Sequence, residues 1–458
     1  MSRRSVWLIL LLAAVALRLP DIGNPLIDVD EQMYLLVGER MWAGALPYVD
    51  IWDRKPIGLF LIAAAANGVG EPWVTYHLLA LAAAAATAGI IAGFARRHAG
   101  PAGALAAGLL YLVWIALLGG RGGQSPVFYN LLIAGAAWLV AETIAGRRRG
   151  GVAAMLLVGL ALQIKPTVVF EGVYFALALL AVRWRREPWP ASLRAALLYG
   201  GAALLPTVVA ATVYVAAGHG EAWWFANVES ILLRRPTPGD AIALRMLGVI
   251  VVLLVPAGLA IAGLVRRKQG FLIGWVAAAV IGWLLVPPYF NHYALPLLLP
   301  FAVAAAAVLD RPAMRWLAAL AGAALLLLSG YPHLGETRAA RDAVAGLAAR
   351  IEALRRRAPG CLFVVEAPPV LYSASRSCLP TRYPFPFHLV EASEAGAIGT
   401  DPTAEVARIL ATRPPVIAVG DIARNRRRPT VILVRRALAA RYRRVTSNTG
   451  VDLFELAN

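Results

Sequence analysis

The residues best suited to chemistry gather in one stretch, Asp28 to Pro56, reading DVDEQMYLLVGERMWAGALPYVDIWDRKP. It holds the carboxylates Asp28, Asp30, Glu31, Glu39, Asp50 and Asp53 against only Arg40, Arg54 and Lys55. That acidic excess stands out in a chain of formal net charge +18. A carboxylate beside a membrane pocket can act as general base on an acceptor hydroxyl, and Asp30-Glu31 is the sharpest pair for that role. The competing reading is structural, since both acids would sit in a first helical turn, where the helix dipole favours them. Asp28 fits that second reading, as an N-cap with Glu31 three residues on. At the far end, Asp53-Arg54-Lys55-Pro56 sets two cations just before an apolar helix with proline in its first turn. Such cations can clamp an anionic lipid phosphate through charge-assisted hydrogen bonds, or merely snorkel at a membrane interface.

Three further groups invite a functional reading. Lys165, in Gln163-Ile164-Lys165-Pro166-Thr167, interrupts an apolar region. An intramembrane lysine is costly and faces a cavity or a partner, and the proline breaks the helix there. Arg234-Arg235 is a weaker pair that could equally be solvated. Pro287 to Tyr293 supplies Tyr289, His292 and Tyr293. His292 could meet a phosphate or an acceptor, or the segment could be an interfacial aromatic belt. No His/Asp/Glu spacing forms a metal motif, and there is neither a phosphate-binding glycine loop nor a nucleophile elbow.

The elements that must hold these residues follow from composition. The chain is 458 residues long, 60% hydrophobic and 15% charged, with a mean hydropathy of +0.66. Soluble domains are about 45–50% apolar and about 25% charged. Apolar runs of about 17–25 residues recur, the length that spans a bilayer. Spans are expected at 5–20, 73–95, 101–118, 126–145, 151–164, 166–182, 195–217, 243–265, 271–287, 294–309 and 314–330. The first run reads as an anchor rather than a cleaved signal. Short arginine clusters at 96–97, 147–149, 183–186, 266–268 and 311–315 fall at alternate span ends, which marks that face as cytoplasmic. The same distribution explains 44 Lys+Arg against 26 Asp+Glu without a nucleic-acid partner.

Between the first two of these spans, Met33, Tyr34, Val37, Met41 and Trp42 recur at helical spacing until Gly44 and Pro47. That predicts an amphipathic helix along the interface, with Trp42 and Tyr48 at headgroup depth. Residues 56–68 read as a helix too short to span. After residue 330 a charged helical segment (336–357) leads to expected strands at 361–365, 416–419 and 431–434 and a helix over 403–411. Cys361 and Cys378 both lie there, and an oxidising compartment would join them. The fold class is thus a polytopic α-helical membrane protein with a small C-terminal α/β extracytoplasmic domain. Residues 1–330 would form the transmembrane catalytic domain, with its first outer loop at 21–72, and residues 331–458 the periplasmic domain.

With these residues in hand, the chain resembles the GT-C glycosyltransferases, most of all the bacterial branch of glycosyltransferase family 39 that includes protein O-mannosyltransferases and lipid A aminoarabinose transferase. The likeness rests on Asp30-Glu31, Tyr34, Gly44-Ala-Leu-Pro47-Tyr48 and Lys55-Pro56. It continues in Gly159-Leu160-Ala161 with Lys165, in Tyr289 to Pro300, and in Glu366 to Tyr372 with Thr381-Arg382-Tyr383. Pro56-Ile57 departs from the two prolines of many members. The resemblance implies a multi-pass enzyme of the bacterial inner membrane with about eleven spans. It would move a sugar from a polyprenyl-phosphate donor to a lipid, glycan or protein acceptor on the periplasmic side. Asp30 and Glu31 would be catalytic; Tyr34, Lys55, Lys165, Arg234, Arg235, Tyr289, His292 and Tyr293 would bind substrate. Besides substrates, only membrane lipids are expected as partners. No cofactor is required by any motif. A divalent metal is a candidate through His292, which could ligate one, and through the resemblance, because some members place an acid before the lysine and use it toward a metal, where this chain has Arg54. The rival classes are a polyprenyl-linked sugar or lipid transporter or flippase, which should show repeated halves with broken helices, and a non-catalytic membrane scaffold.

Overall fold

The structure is a computed structural model that describes residues 2–235, 239–448 and 450–457. The chain forms two compact units: residues 1–22, 77–210 and 237–334, and residues 23–76, 211–236 and 335–458.

The first unit is helical. Each of the eleven expected spans is a helix, and among the described residues six are long and apolar enough to cross a membrane: Pro72–Ala95, Ser125–Ile144, Pro166–Trp184, Trp189–Ala216, Ala241–Arg266 and Asn291–Leu309. The other five expected spans are shorter helices: α1 (Arg3–Arg18), Pro101–Leu117, Gly151–Leu162, Gly270–Leu284 and Pro312–Leu328. Length and composition thus mark six of the eleven as candidate crossings. Close packing uses glycine where helices touch: a Cβ at Gly263 would collide with the carbonyl oxygen of Ala304, joining Gly239–Arg266 to Leu298–Leu309.

Polar side chains inside this unit satisfy backbone groups that apolar surroundings would leave orphaned. Asp310 accepts from the amides of Gly100 (2.8 Å) and Gly103 (3.1 Å), capping Pro101–Leu117. Nearby, Glu142 pairs with Arg97 and with Arg147 at 3.0 Å. Three of the arginine clusters thus meet around one end. Arg18, buried at 3% exposure, donates to the carbonyls of Gly120, Arg121 and Gly122, while Arg121 pairs with Asp21 at 2.6 Å.

In the second unit, Asp28 caps α2 (Val29–Trp42), its carboxylate accepting from the amide of Asp30 at 2.7 Å. Pro56 precedes α3 (Ile57–Val69), as its position before the apolar run predicts. The interfacial reading of α2 does not hold. Glu31 through Gly38 are all buried, more than two turns with no solvent face. The reason is α3: a Cβ on Gly38 would strike the Ala63–Ala64 backbone, and Asn67 donates to the carbonyl of Leu35 at 3.1 Å. Trp42 is exposed as expected, but Tyr48 is buried, with its hydroxyl donating to the Lys55 carbonyl at 2.9 Å.

The C-terminal part carries a sheet of order β1-β2-β4-β3. β1 (Phe363–Val365) runs parallel to β2 (Val416–Val419), which pairs antiparallel with β4 (Val451–Leu456), itself a hairpin partner of β3 (Tyr442–Asn448). The helices Glu336–Arg357 and Pro402–Ala411 lie where the sequence places them. Residues 431–434 are not a strand. They belong to the helix Pro429–Arg441, in which Val431, Val434 and Leu438 recur at helical spacing and point into the core. The β3–β4 hairpin was hidden by its charge, Arg443 and Arg444 pairing across it with Glu455 and Asp452.

Cys361 and Cys378 form a disulfide with their Cα atoms 4.9 Å apart, closing a loop of 17 residues. Loop closure of that length stabilises by about 3 kcal/mol. Neither thiol should label without reductant, and the Cys361→Ser/Cys378→Ser pair should lose about that much stability by denaturant titration of the detergent-solubilised protein.

Candidate functional site

The expected site residues divide between the two units. Asp30, Glu31, Tyr34, Lys55, Arg234 and Arg235 lie in the second; Lys165, Tyr289, His292 and Tyr293 lie in the first.

In the second unit the first turn of α2 brings Asp30 and Glu31 to the helix N-terminus, where the partial positive charge of free amides stabilises them. Glu31 is 1% exposed, whereas Asp30 keeps part of its surface in solvent. One turn on, Tyr34 is fully buried, and its hydroxyl has no hydrogen-bond partner among the described residues. The Lys55 ammonium stands 5.4 Å from the centre of the Tyr34 ring, a cation–π distance. The same ammonium lies 4.0 Å from a buried carboxylate oxygen of Asp53. Burial, then the negative charges of Asp30 and Asp53, hold the Tyr34 phenol well above its ordinary pKa. It therefore stays protonated, a donor beside a cation. Acid, phenol and ammonium are gathered, as the sequence pattern requires.

Arg54 points elsewhere. It forms a two-pronged ion pair with the buried carboxylate of Glu394, one prong at 3.1 Å, and its Nε donates to the Ser230 hydroxyl at 3.1 Å. Arg234 reaches the same carboxylate at 2.9 Å. Burial alone would raise the Glu394 pKa, but Arg54 first, then His388 and Arg234, overcome it and hold the carboxyl below its usual range. Arg235 is exposed and held by its backbone, its amide donating to the Ser393 carbonyl at 3.1 Å. Thus Arg234, expected on a phosphate, is engaged with Glu394. Beside this cluster, His388 packs its ring 4.8 Å from that of Trp52. Burial, with the positive field of Arg54 behind it, pushes the His388 pKa down to about 3.

In the first unit Lys165 is 8% exposed, its ammonium 3.9 Å from the centre of the Tyr293 ring. His292 stacks on Phe290 and meets Tyr293 edge-on at 4.9 Å. Tyr289, with φ +56°, donates to the Leu284 carbonyl at 2.7 Å. Lys165 and Tyr293 line a narrow pocket with Tyr129, Glu171 and Trp283. It encloses about 30 Å³, room for one or two water molecules. Glu171 is buried and accepts from Trp275 Nε1 at 2.8 Å. The Trp283 Nε1 is buried with no hydrogen-bond partner among the described residues.

Sequence reasoning missed Glu171, Glu394 and His388. Glu171 carried a signal, as an acid inside an apolar run. Glu394 and His388 carried none, because acids and histidines are ordinary in a polar domain. Among the described residues no three His, Cys, Asp or Glu side chains gather so as to hold a metal ion.

No protein-family model and no curated relative matches the sequence. The fold does match solved structures. The apo crystal structure of ArnT from Cupriavidus metallidurans aligns with a TM-score of 0.68 and 14% identity, over 99% of this chain and 98% of that one. A second structure of that ArnT, bound to undecaprenyl phosphate, aligns with a TM-score of 0.56 and 14% identity, over 99% and 97%. The chain has the GT-C fold that the sequence resemblance implies.

His388 should set an acid limit on stability. In the folded protein it stays neutral down to about pH 3, whereas an unfolded histidine takes its proton near pH 6.5. As pH falls below about 6.5 the unfolded chain binds a proton that the folded chain refuses, so stability falls by up to about 1.4 kcal/mol per unit. Between pH 6.5 and 4.5 the wild type should lose stability more steeply than His388→Gln by that slope, read from thermal unfolding across a pH series. Parallel curves would mean that His388 protonates in the folded state.

Proposed function

We propose that this protein is a polyprenyl-phosphate-dependent glycosyltransferase of the bacterial inner membrane, acting on its periplasmic side. The single observation that carries the reading is the grouping of the protonated, unpartnered Tyr34 hydroxyl with the Lys55 ammonium, beside Asp30 on the first turn of α2. A donor and a cation side by side suit a phosphate oxygen, and a partly exposed carboxylate next to them suits a hydroxyl that must lose its proton. A fold shared with an ArnT that was solved bound to undecaprenyl phosphate supports the choice of a polyprenyl carrier.

In this reading Asp30 takes the proton of the acceptor hydroxyl. The acceptor oxygen forms a bond to the anomeric carbon as the bond from that carbon to the phosphate oxygen breaks, with inversion. The electron pair leaves with polyprenyl phosphate, whose developing charge Lys55 and the Tyr34 hydroxyl stabilise as preorganised groups. Such a leaving group needs no proton, so one carboxylate suffices, unlike the pair in glycoside hydrolysis. Glu31, buried one residue on, supports Asp30. Lys165, Tyr293 and His292 form a second polar group for the lipid-linked donor within the membrane unit, where a lysine would otherwise be too costly to keep. The eleven apolar helices are read as eleven passes, the shorter ones included, and residues 331–458 as a periplasmic domain.

The test is the full-length protein in lipid nanodiscs with a polyprenyl phosphate carrying a radiolabelled sugar. Asp30→Asn should lower turnover at least about 10²-fold, the typical contribution of a general base, while carrier binding persists. Lys55→Met should lower both binding and turnover. Full turnover in Asp30→Asn would remove the proposed base, and carrier binding without turnover under every acceptor would turn the reading toward transport.

A further inference from the structure

The second unit has an open groove of about 480 Å³, within the size range of small-ligand sites. Its walls include Asp50 of the first outer loop and Thr381, Arg382, Tyr383, Glu405 and Arg408 of the C-terminal part. These walls are built rather than incidental. Arg408 grips Glu405 with two nitrogens, at 2.8 and 2.6 Å, and gives a third bond to the Pro380 carbonyl at 2.8 Å. The buried Thr381 hydroxyl donates to the same carboxylate at 2.6 Å. Arg382 sends Nε and Nη2 to the Tyr383 hydroxyl, at 2.8 and 2.6 Å, and among the described residues its Nη1 has no hydrogen-bond partner. The Cys361–Cys378 disulfide anchors the segment one residue before the groove begins at Leu379.

The charges say what such a groove can hold. Two guanidinium groups face two carboxylates, so a phosphate would meet Asp50 and Glu405, and a free cation would meet Arg382 and Arg408. The polar lining also gives an acyl chain or an apolar peptide little to bury against. A ligand with many neutral donors and acceptors fits, which is the chemistry of sugar hydroxyls. Because the Arg408–Glu405 ion pair and the Arg382–Tyr383 hydrogen bonds already hold these side chains, ordering them on binding costs little.

We propose that this groove is a carbohydrate-binding site that holds the glycan portion of the acceptor. The assignment deepens the glycosyltransferase reading and rests on it for the word acceptor. The chain itself supplies the link: Asp50 on the groove wall is five residues from Lys55, a reach of at most about 18 Å when fully extended. The Trp52 amide donates to the Arg382 carbonyl at 2.7 Å, so the loop that carries Lys55 is tied to the groove. That upper bound on the reach is a few sugar lengths, so an acceptor seated there can extend a hydroxyl toward Lys55.

The test is binding of full-length protein in nanodiscs to an immobilised array of bacterial and model oligosaccharides. Wild type should retain at least one glycan class. Arg382→Ala, which removes an exposed donor, and Thr400→Trp, which fills the groove from another wall without touching an ion pair, should each weaken that binding at least tenfold. Both should keep the disulfide, by thiol labelling, and should bind the polyprenyl-phosphate carrier as wild type does. No retained glycan, or equal retention by Thr400→Trp, overturns the site. Carrier turnover without glycan binding would sink the groove and leave the enzyme reading standing. Glycan binding without carrier binding would do the reverse.

Discussion

The Glu394 carboxylate is the constraint on which the candidate chemistry depends. It is buried, and an isolated buried carboxylate is expensive. Arg54 and Arg234 relieve that cost, so three stretches distant in sequence must converge on it. The Ser230 hydroxyl closes the arrangement, taking a bond from Arg54 and donating to the Ala397 carbonyl at 2.6 Å. A buried pair of this kind adds little net stability against an apolar replacement, but removing one partner strands the other. Its consequence here is geometric. With Arg54 held on one side, the next residue, Lys55, is turned toward Tyr34 and Asp53.

The aromatic core around the same loop works with it. Trp52 is buried against Phe225 and against Tyr383 and His388, rings from two segments distant in sequence. The first outer loop is thereby part of a folded unit and not a flexible connection between membrane helices. That packing fixes the backbone that carries Lys55, so its ordering entropy is already met by folding.

In the membrane unit the governing rule is backbone satisfaction. Arg18 fills three carbonyls of a loop, Asp310 fills two amides of a helix start, and Asn130 donates to the Leu295 carbonyl at 3.2 Å. Arg18 and Asn130 are buried and Asp310 sits exposed at a helix start, and each is answered by the main chain. Glu171 and Lys165 differ: their known partners are side chains, an indole N–H and a phenol ring, and both line one pocket.

Much of this was legible in the chain. Apolar run length specifies where helices form, because a backbone in hydrocarbon must bond to itself. Asp28 before an acidic first turn, Pro56 before an apolar run, and two cysteines in a polar domain each state a local structure in local terms. So does Lys165, whose cost demands a reason. Three things were decided by tertiary packing. α2 is buried because Gly38 admits α3 on one face and the segment from Val370 to Ser377 packs on it as well, although its own pattern reads as amphipathic. Val431 to Val434 has β-branched residues fit for a strand, yet it is helical because Val431, Val434 and Leu438 face one core. Arg54 and Lys55 are equal as cations in sequence, and only the distant Glu394 pairs with the first while the second turns to Tyr34 and Asp53. Local bonding rules are written in neighbouring residues, whereas the division of labour among like charges depends on partners hundreds of residues away.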